Sequence, residues 1–77
     1  MKHVKVFGPG CNRCQQTVDM VKAEAVKLGI DVEVEKVTDY AEIAKAGVAS
    51  TPGVMVEGKL VHAGGLPKPA DVQSWLQ

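Results

Sequence analysis

An α/β fold running β-α-β-α-β-β-α is what these 77 residues predict. Three observations carry that expectation. Short runs rich in Val and Phe stop at Gly or Pro. Two stretches switch to an apolar spacing of three and four residues. A late pair of apolar segments is joined by Glu57-Gly58. A chain this short buries only about 60–65% of its unfolded surface and has room for one domain, spanning residues 1–77.

His3 to Phe7 reads as a strand, ended by the sharp turn of Gly8-Pro9-Gly10. From Cys14 onward Val18, Val21, Ala25 and Leu28 share one helical face, and Asp19, Lys22, Glu24 and Lys27 take the other. Gly29 suits the C′ position that stops this helix. Val32-Glu33-Val34-Glu35 alternates strictly, as a strand with one solvated face at a sheet edge does. Asp39 is placed to cap a short helix, with Glu42 at N3 completing a capping box, Ile43 and Ala44 facing inward and Gly47 ending it. Val54-Met55-Val56 is a short strand, Glu57-Gly58 a two-residue hairpin turn, and Leu60 to Ala63 the antiparallel return. Beyond Gly64-Gly65-Leu66-Pro67, Pro69 falls near N1 of a last helix that aligns Val72, Trp75 and Leu76. The first β-α-β is long enough for a right-handed parallel crossover.

Nine basic and nine acidic residues cancel, without a basic stripe or an acidic run, so neither nucleic acid nor an anionic membrane is an expected partner. Met1 to Phe7 lacks the apolar core of a signal peptide, and no stretch approaches the ~20 apolar residues of a membrane span. The expectation is a cytoplasmic monomer.

The chemistry concentrates in Cys11-Asn12-Arg13-Cys14, which holds both cysteines of the chain at a strand-to-helix junction. In a reducing compartment such a pair is redox-active or metal-binding more often than structural. Only a thiolate attacks a disulfide, and a cysteine with a pKa near 8.5 is only ~3% ionised at neutral pH. Lowering that pKa by about two units needs roughly 2.7 kcal/mol of preferential stabilisation of the anion. Unpaired N–H groups at a helix start supply part of it, and Arg13 adds a positive charge between the thiols. Cys11, beside Gly10, is the expected nucleophile. Cys14, one turn on and next to the apolar stripe, is the expected resolving thiol.

Thr51-Pro52 directly before an apolar strand is a second marker, since proline cannot donate to a sheet ladder and the strand begins around it. Together with Gly64-Gly65 after the fourth strand, these features resemble the thioredoxin/glutaredoxin superfamily. The chain is most similar to the small glutaredoxin-like thioredoxins known as redox-active disulfide proteins. It shares their Gly-x-Gly-Cys-x-x-Cys start (Gly8 to Cys14) and their Leu28-Gly29-Ile30-Asp31 step. The resemblance implies a minimal thioredoxin-like fold, a four-stranded mixed sheet of order 2-1-3-4 flanked by three helices. It implies a cis Pro52 beside the dithiol, Thr51 offering its backbone to an extended substrate, and Gly64 and Gly65 letting a partner approach closely. It further implies protein disulfide substrates, recycling by a thioredoxin-reductase-like enzyme, and no cofactor besides the Cys11–Cys14 couple.

Some positions depart from that pattern. Gly10 stands where thioredoxins carry Trp, and Lys5 and Phe7 leave no counterpart to their buried acid. Gly64-Gly65-Leu66-Pro67 keeps the glycines without the acidic residues that follow in glutaredoxins, which argues against glutathione. The alternatives are a heavy-metal-associated module, whose order would be β-α-β-β-α-β, and a redox-regulated adaptor. His3 and His62 could join the thiols around zinc, but neither shows ligand spacing, and half-exposed strand histidines are the simpler expectation.

Overall fold

The computed structural model describes residues 1–10 and 12–77, so Cys11 lies outside the described residues. The elements are β1 (Lys2–Phe7), α1 (Asn12–Leu28), β2 (Val32–Val37), α2 (Tyr40–Lys45), β3 (Gly53–Val56), β4 (Lys59–Ala63) and α3 (Pro69–Leu76). They build one mixed sheet in the order β2-β1-β3-β4. The expected α/β architecture is therefore the observed one. No helix among the described residues is long and apolar enough to cross a membrane.

β1 is the centre of the construction. It runs parallel to β2, from Lys2 opposite Val32 to Phe7 opposite Val37, and antiparallel to β3, from Val4 opposite Val56 to Phe7 opposite Gly53. This pairing carries β2 two residues past the alternating Val-Glu stretch, because Val6 and Phe7 keep offering ladder partners to Lys36 and Val37. β3 and β4 close a hairpin through Glu57 and Gly58, whose φ values of 51° and 80° are both positive, as a type I′ turn requires.

Alternation along the strands sorts the apolar side chains onto two faces. Val4, Val6, Val54 and Val56 join Val18, Val21, Ala25, Val72 and Leu76 in one cluster, where α1 and α3 meet the sheet. Phe7 points the other way and forms a second cluster with Ile43 and Val48. Both α1 and α2 end in Schellman motifs. Ile30 N–H donates to Ala25 O and Gly29 N–H to Val26 O after α1. After α2, Val48 N–H donates to Ile43 O and Gly47 N–H to Ala44 O. The two terminating glycines, Gly29 and Gly47, are the ones anticipated from sequence.

Three local expectations need correction. Glu24 is not on the solvated face of α1. It is only 3% exposed, accepts a hydrogen bond from Gln73 Nε2 and pairs with Lys27 Nζ at 3.2 Å. α3 lies across that part of α1, so a position that a single helix would leave to water becomes an interhelical seam. Ala44 is exposed rather than inward-facing, and Val48 takes its place because the positive φ of Gly47 (79°) turns the chain back onto Ile43. Asp39 does cap α2, its Oδ1 accepting from Ala41 N–H at 3.0 Å, but Glu42 faces Lys45 at 3.8 Å.

Candidate functional site

The carboxyl end of β1 sets the site. Gly8 continues the ladder beyond β1, its N–H donating to Val37 O at 2.9 Å. Pro9 and Gly10 then turn the chain, with Gly10 at φ +93°, and α1 begins at Asn12. Cys14 is thus the third residue of α1, within the first turn where N–H groups lack helical partners. Its side chain is buried, 3% exposed. That turn carries Arg13 and no acidic residue, so the local field favours an anion. The Arg13 side chain is exposed, which weakens its share through solvent screening, while its carbonyl accepts from the buried Thr17 hydroxyl at 2.7 Å. The attacking role expected of Cys11 concerns a residue outside the described set.

A Cβ at Gly8 would stand 2.1 Å from Cys14 Sγ and 3.7 Å from Thr51 Cβ. Only a residue without a side chain fits there, and the Cys14 sulfur and the Thr51 loop therefore flank one backbone position. The Thr51–Pro52 peptide bond is cis, Pro52 is buried and Thr51 is half-buried. Gly53 at the start of β3 is equally constrained, because a Cβ would meet Val48 Cγ1 at 2.6 Å.

Gly64 and Gly65 do different work from each other. Gly64 N–H donates to Pro52 O at 3.0 Å, and a Cβ on Gly64 would come within 2.9 Å of Ser50 Cβ. Gly64 is therefore needed inside the molecule, to let the end of β4 close over the Ser50–Pro52 segment. Gly65 borders open space, and its carbonyl bonds to His62 Nε2 at 2.9 Å. Beside Thr51 lies an open groove of about 300 Å³, lined by Pro9, Tyr40, Ile43, Ala44, Val48, Ala49 and Thr51. Most of its lining side chains are apolar, and Tyr40 and Thr51 each bring a hydroxyl.

The structure thus gathers Gly8, Cys14, Thr51, Pro52 and Gly64 into one neighbourhood. Gly8 is legible in the sequence as part of the turn and of the Gly-x-Gly-Cys-x-x-Cys start, and Ser50 and Gly53 as neighbours of the Thr51-Pro52 marker. Nothing in their spacing announces the contacts, which exist only once the sheet brings three segments together. His3 and His62 stand apart, since β3 separates their strands and the register sets His62 level with Val6. His3 faces Glu33 at 3.4 Å, and among the described residues no group of three or more His, Cys, Asp or Glu is placed to hold a metal ion. The heavy-metal-associated order β-α-β-β-α-β is not the one observed.

Comparison with known proteins agrees with the geometry. Residues 2–77 match a family model described as a thioredoxin domain. A protein named thioredoxin from Methanocaldococcus jannaschii is 40% identical over 74 residues, covering 96% of this chain and 85% of that protein. Another protein named thioredoxin, from Methanothermobacter thermautotrophicus, is 30% identical over 76 residues and covers 99% of both chains.

Proposed function

This chain belongs to the thioredoxin family, and we propose that it is a dithiol–disulfide oxidoreductase in which Cys11 attacks protein disulfides and Cys14 resolves the product. The observation that carries the proposal is the convergence on Gly8, where the buried Cys14 sulfur and the Thr51–Pro52 loop flank the same backbone atom.

In the first step the Cys11 thiolate attacks one sulfur of the substrate disulfide. The substrate S–S bond breaks, a mixed disulfide forms, and the departing substrate thiolate takes up a proton. Cys14 then loses its proton and attacks the Cys11 sulfur. The mixed disulfide breaks, the second substrate thiolate is protonated, and a Cys11–Cys14 disulfide remains. Two electrons have passed from the chain's dithiol to the substrate, and a reductase or a small dithiol returns them. The positive end of α1 and Arg13 favour the thiolate form at the start of the cycle. The Thr51 backbone pairs with an extended segment of substrate, and the groove beside it accepts a flanking apolar side chain. The exchange needs no bound cofactor, and a reducing, cytoplasmic setting suits it.

Insulin, whose disulfides give a turbid product when reduced, tests the proposal with dithiothreitol as electron donor. The chain should accelerate reduction well above dithiothreitol alone, and Cys11→Ser should abolish the acceleration. No acceleration by the parent protein, together with an ordinary thiol pKa at Cys11, would overturn it.

A further inference from the structure

Gly64 and Gly65 both hold positive φ, 84° and 75°. Glycine enters that region without a steric cost and leaves it as readily, so two in succession make a loose joint unless something ties them. Gly64 is tied by its bond to Pro52 O and its contact with Ser50. Gly65 is tied by His62, whose Nε2 lies 2.9 Å from the Gly65 carbonyl. A carbonyl oxygen can only accept, so Nε2 carries the proton. The same imidazole rests on the Trp75 ring of α3, with centroids 5.6 Å apart and planes at 45°. Trp75 in turn packs against the larger apolar cluster. A continuous line of contacts therefore runs from that core through Trp75 and His62 to Gly65, and through Gly64 to the Pro52 carbonyl.

We propose that His62 is a positioning residue for substrate recognition. Its Nε2–H bond to Gly65 holds the glycine turn at the depth that leaves the Thr51–Pro52 edge open to an extended polypeptide. This role rests on the exchange function proposed above, and it acts on substrate binding rather than on the sulfur chemistry. Removing the bond frees Gly65 and loosens the turn it shares with Gly64, and a substrate must then order the turn as it docks. That cost falls on the ground-state complex and the transition state alike, so KM rises while kcat holds.

Two substitutions separate the hydrogen bond from the ring. His62→Phe keeps an aromatic surface for Trp75 and loses the donor. His62→Gln keeps an N–H donor near the Nε2 position and loses the ring. With insulin as the disulfide probe and dithiothreitol as donor, H62F should raise KM by roughly three- to tenfold at unchanged kcat, the range expected for one neutral hydrogen bond. H62Q should stay close to the parent. Amide exchange at Gly64, whose N–H donates to Pro52 O, should quicken in H62F and not in H62Q. Unchanged KM and Gly64 exchange in H62F would overturn the proposal. So would a loss in H62Q equal to that in H62F, because packing alone would then be the cause. If the parent protein fails to reduce insulin, the exchange function falls, while Gly64 exchange still decides whether the tie exists.

Discussion

The two faces of the sheet carry unequal apolar loads. On one, α1 and α3 help to bury nine residues, among them Val21, Val54 and Val72 at 0% exposure. On the other, α2 helps to bury only Phe7, Ile43 and Val48. The heavy face anchors the helix that bears Cys14. The light face supports the segment leading to Thr51 and Pro52 and forms the wall of the groove. Full burial of a valine or leucine side chain contributes about 1.5–3 kcal/mol, so the heavy face dominates stability. The light face, with fewer buried side chains, contributes less. On the proposed function, the helix bearing Cys14 is anchored on one face of the sheet and the groove is built on the other.

Five substitutions can break or sharpen that contrast. Val21→Ala should cost the most, about 2–3 kcal/mol in urea unfolding, because it empties the heavy core. Val48→Ala should cost less than half as much while changing KM through the groove. Equal stability losses at the two sites would remove the distinction. Gly53→Ala comes next, at about 1–3 kcal/mol, since its Cβ must displace Val48. Pairing it with Val48→Ala should recover most of that loss, and strict additivity would show that the clash is not the cause.

Asp39→Ala removes the cap of α2 and should cost about 1 kcal/mol, seen as faster amide exchange in α2 with α1 unaffected. Glu24→Gln should have the smallest effect near neutral pH, and its value lies in the acid limb. The hydrogen bond from Gln73, then the contact with Lys27, hold the Glu24 carboxyl below its ordinary value of 4.5. A depressed folded-state pKa contributes stability above the ordinary value and loses it as pH falls through the lowered one. The parent should therefore lose its advantage over E24Q as pH falls below that ordinary value. A gap constant down to about pH 2 would contradict the assignment.

What could be read beforehand was whatever local chemistry decides. The seven elements follow from apolar period, and Gly29, Gly47 and Gly58 mark their ends because only glycine takes those backbone angles cheaply. What escaped was whatever a second segment decides. Glu24 has a surface residue's pattern until α3 covers it, and Ala44 yields its expected place to Val48 because Gly47 redirects the chain. The site divides in the same way. Cys14 and Thr51-Pro52 stand out in the sequence, but the demand for a bare backbone at Gly8 arises only when β1, α1 and the Thr51 loop meet. The hydrogen bond from His62 to Gly65 is likewise a product of the turn between them.

The most direct test of the dithiol mechanism is a trap. Cys14→Ser, incubated with a disulfide-bonded protein and analysed by mass spectrometry without reductant, should accumulate a mixed disulfide at Cys11 that dithiothreitol releases. Cys11→Ser should accumulate none on the same timescale, because the buried Cys14 meets the substrate only after Cys11 has captured it. Adducts formed equally fast through Cys14, or through neither cysteine, would contradict the account.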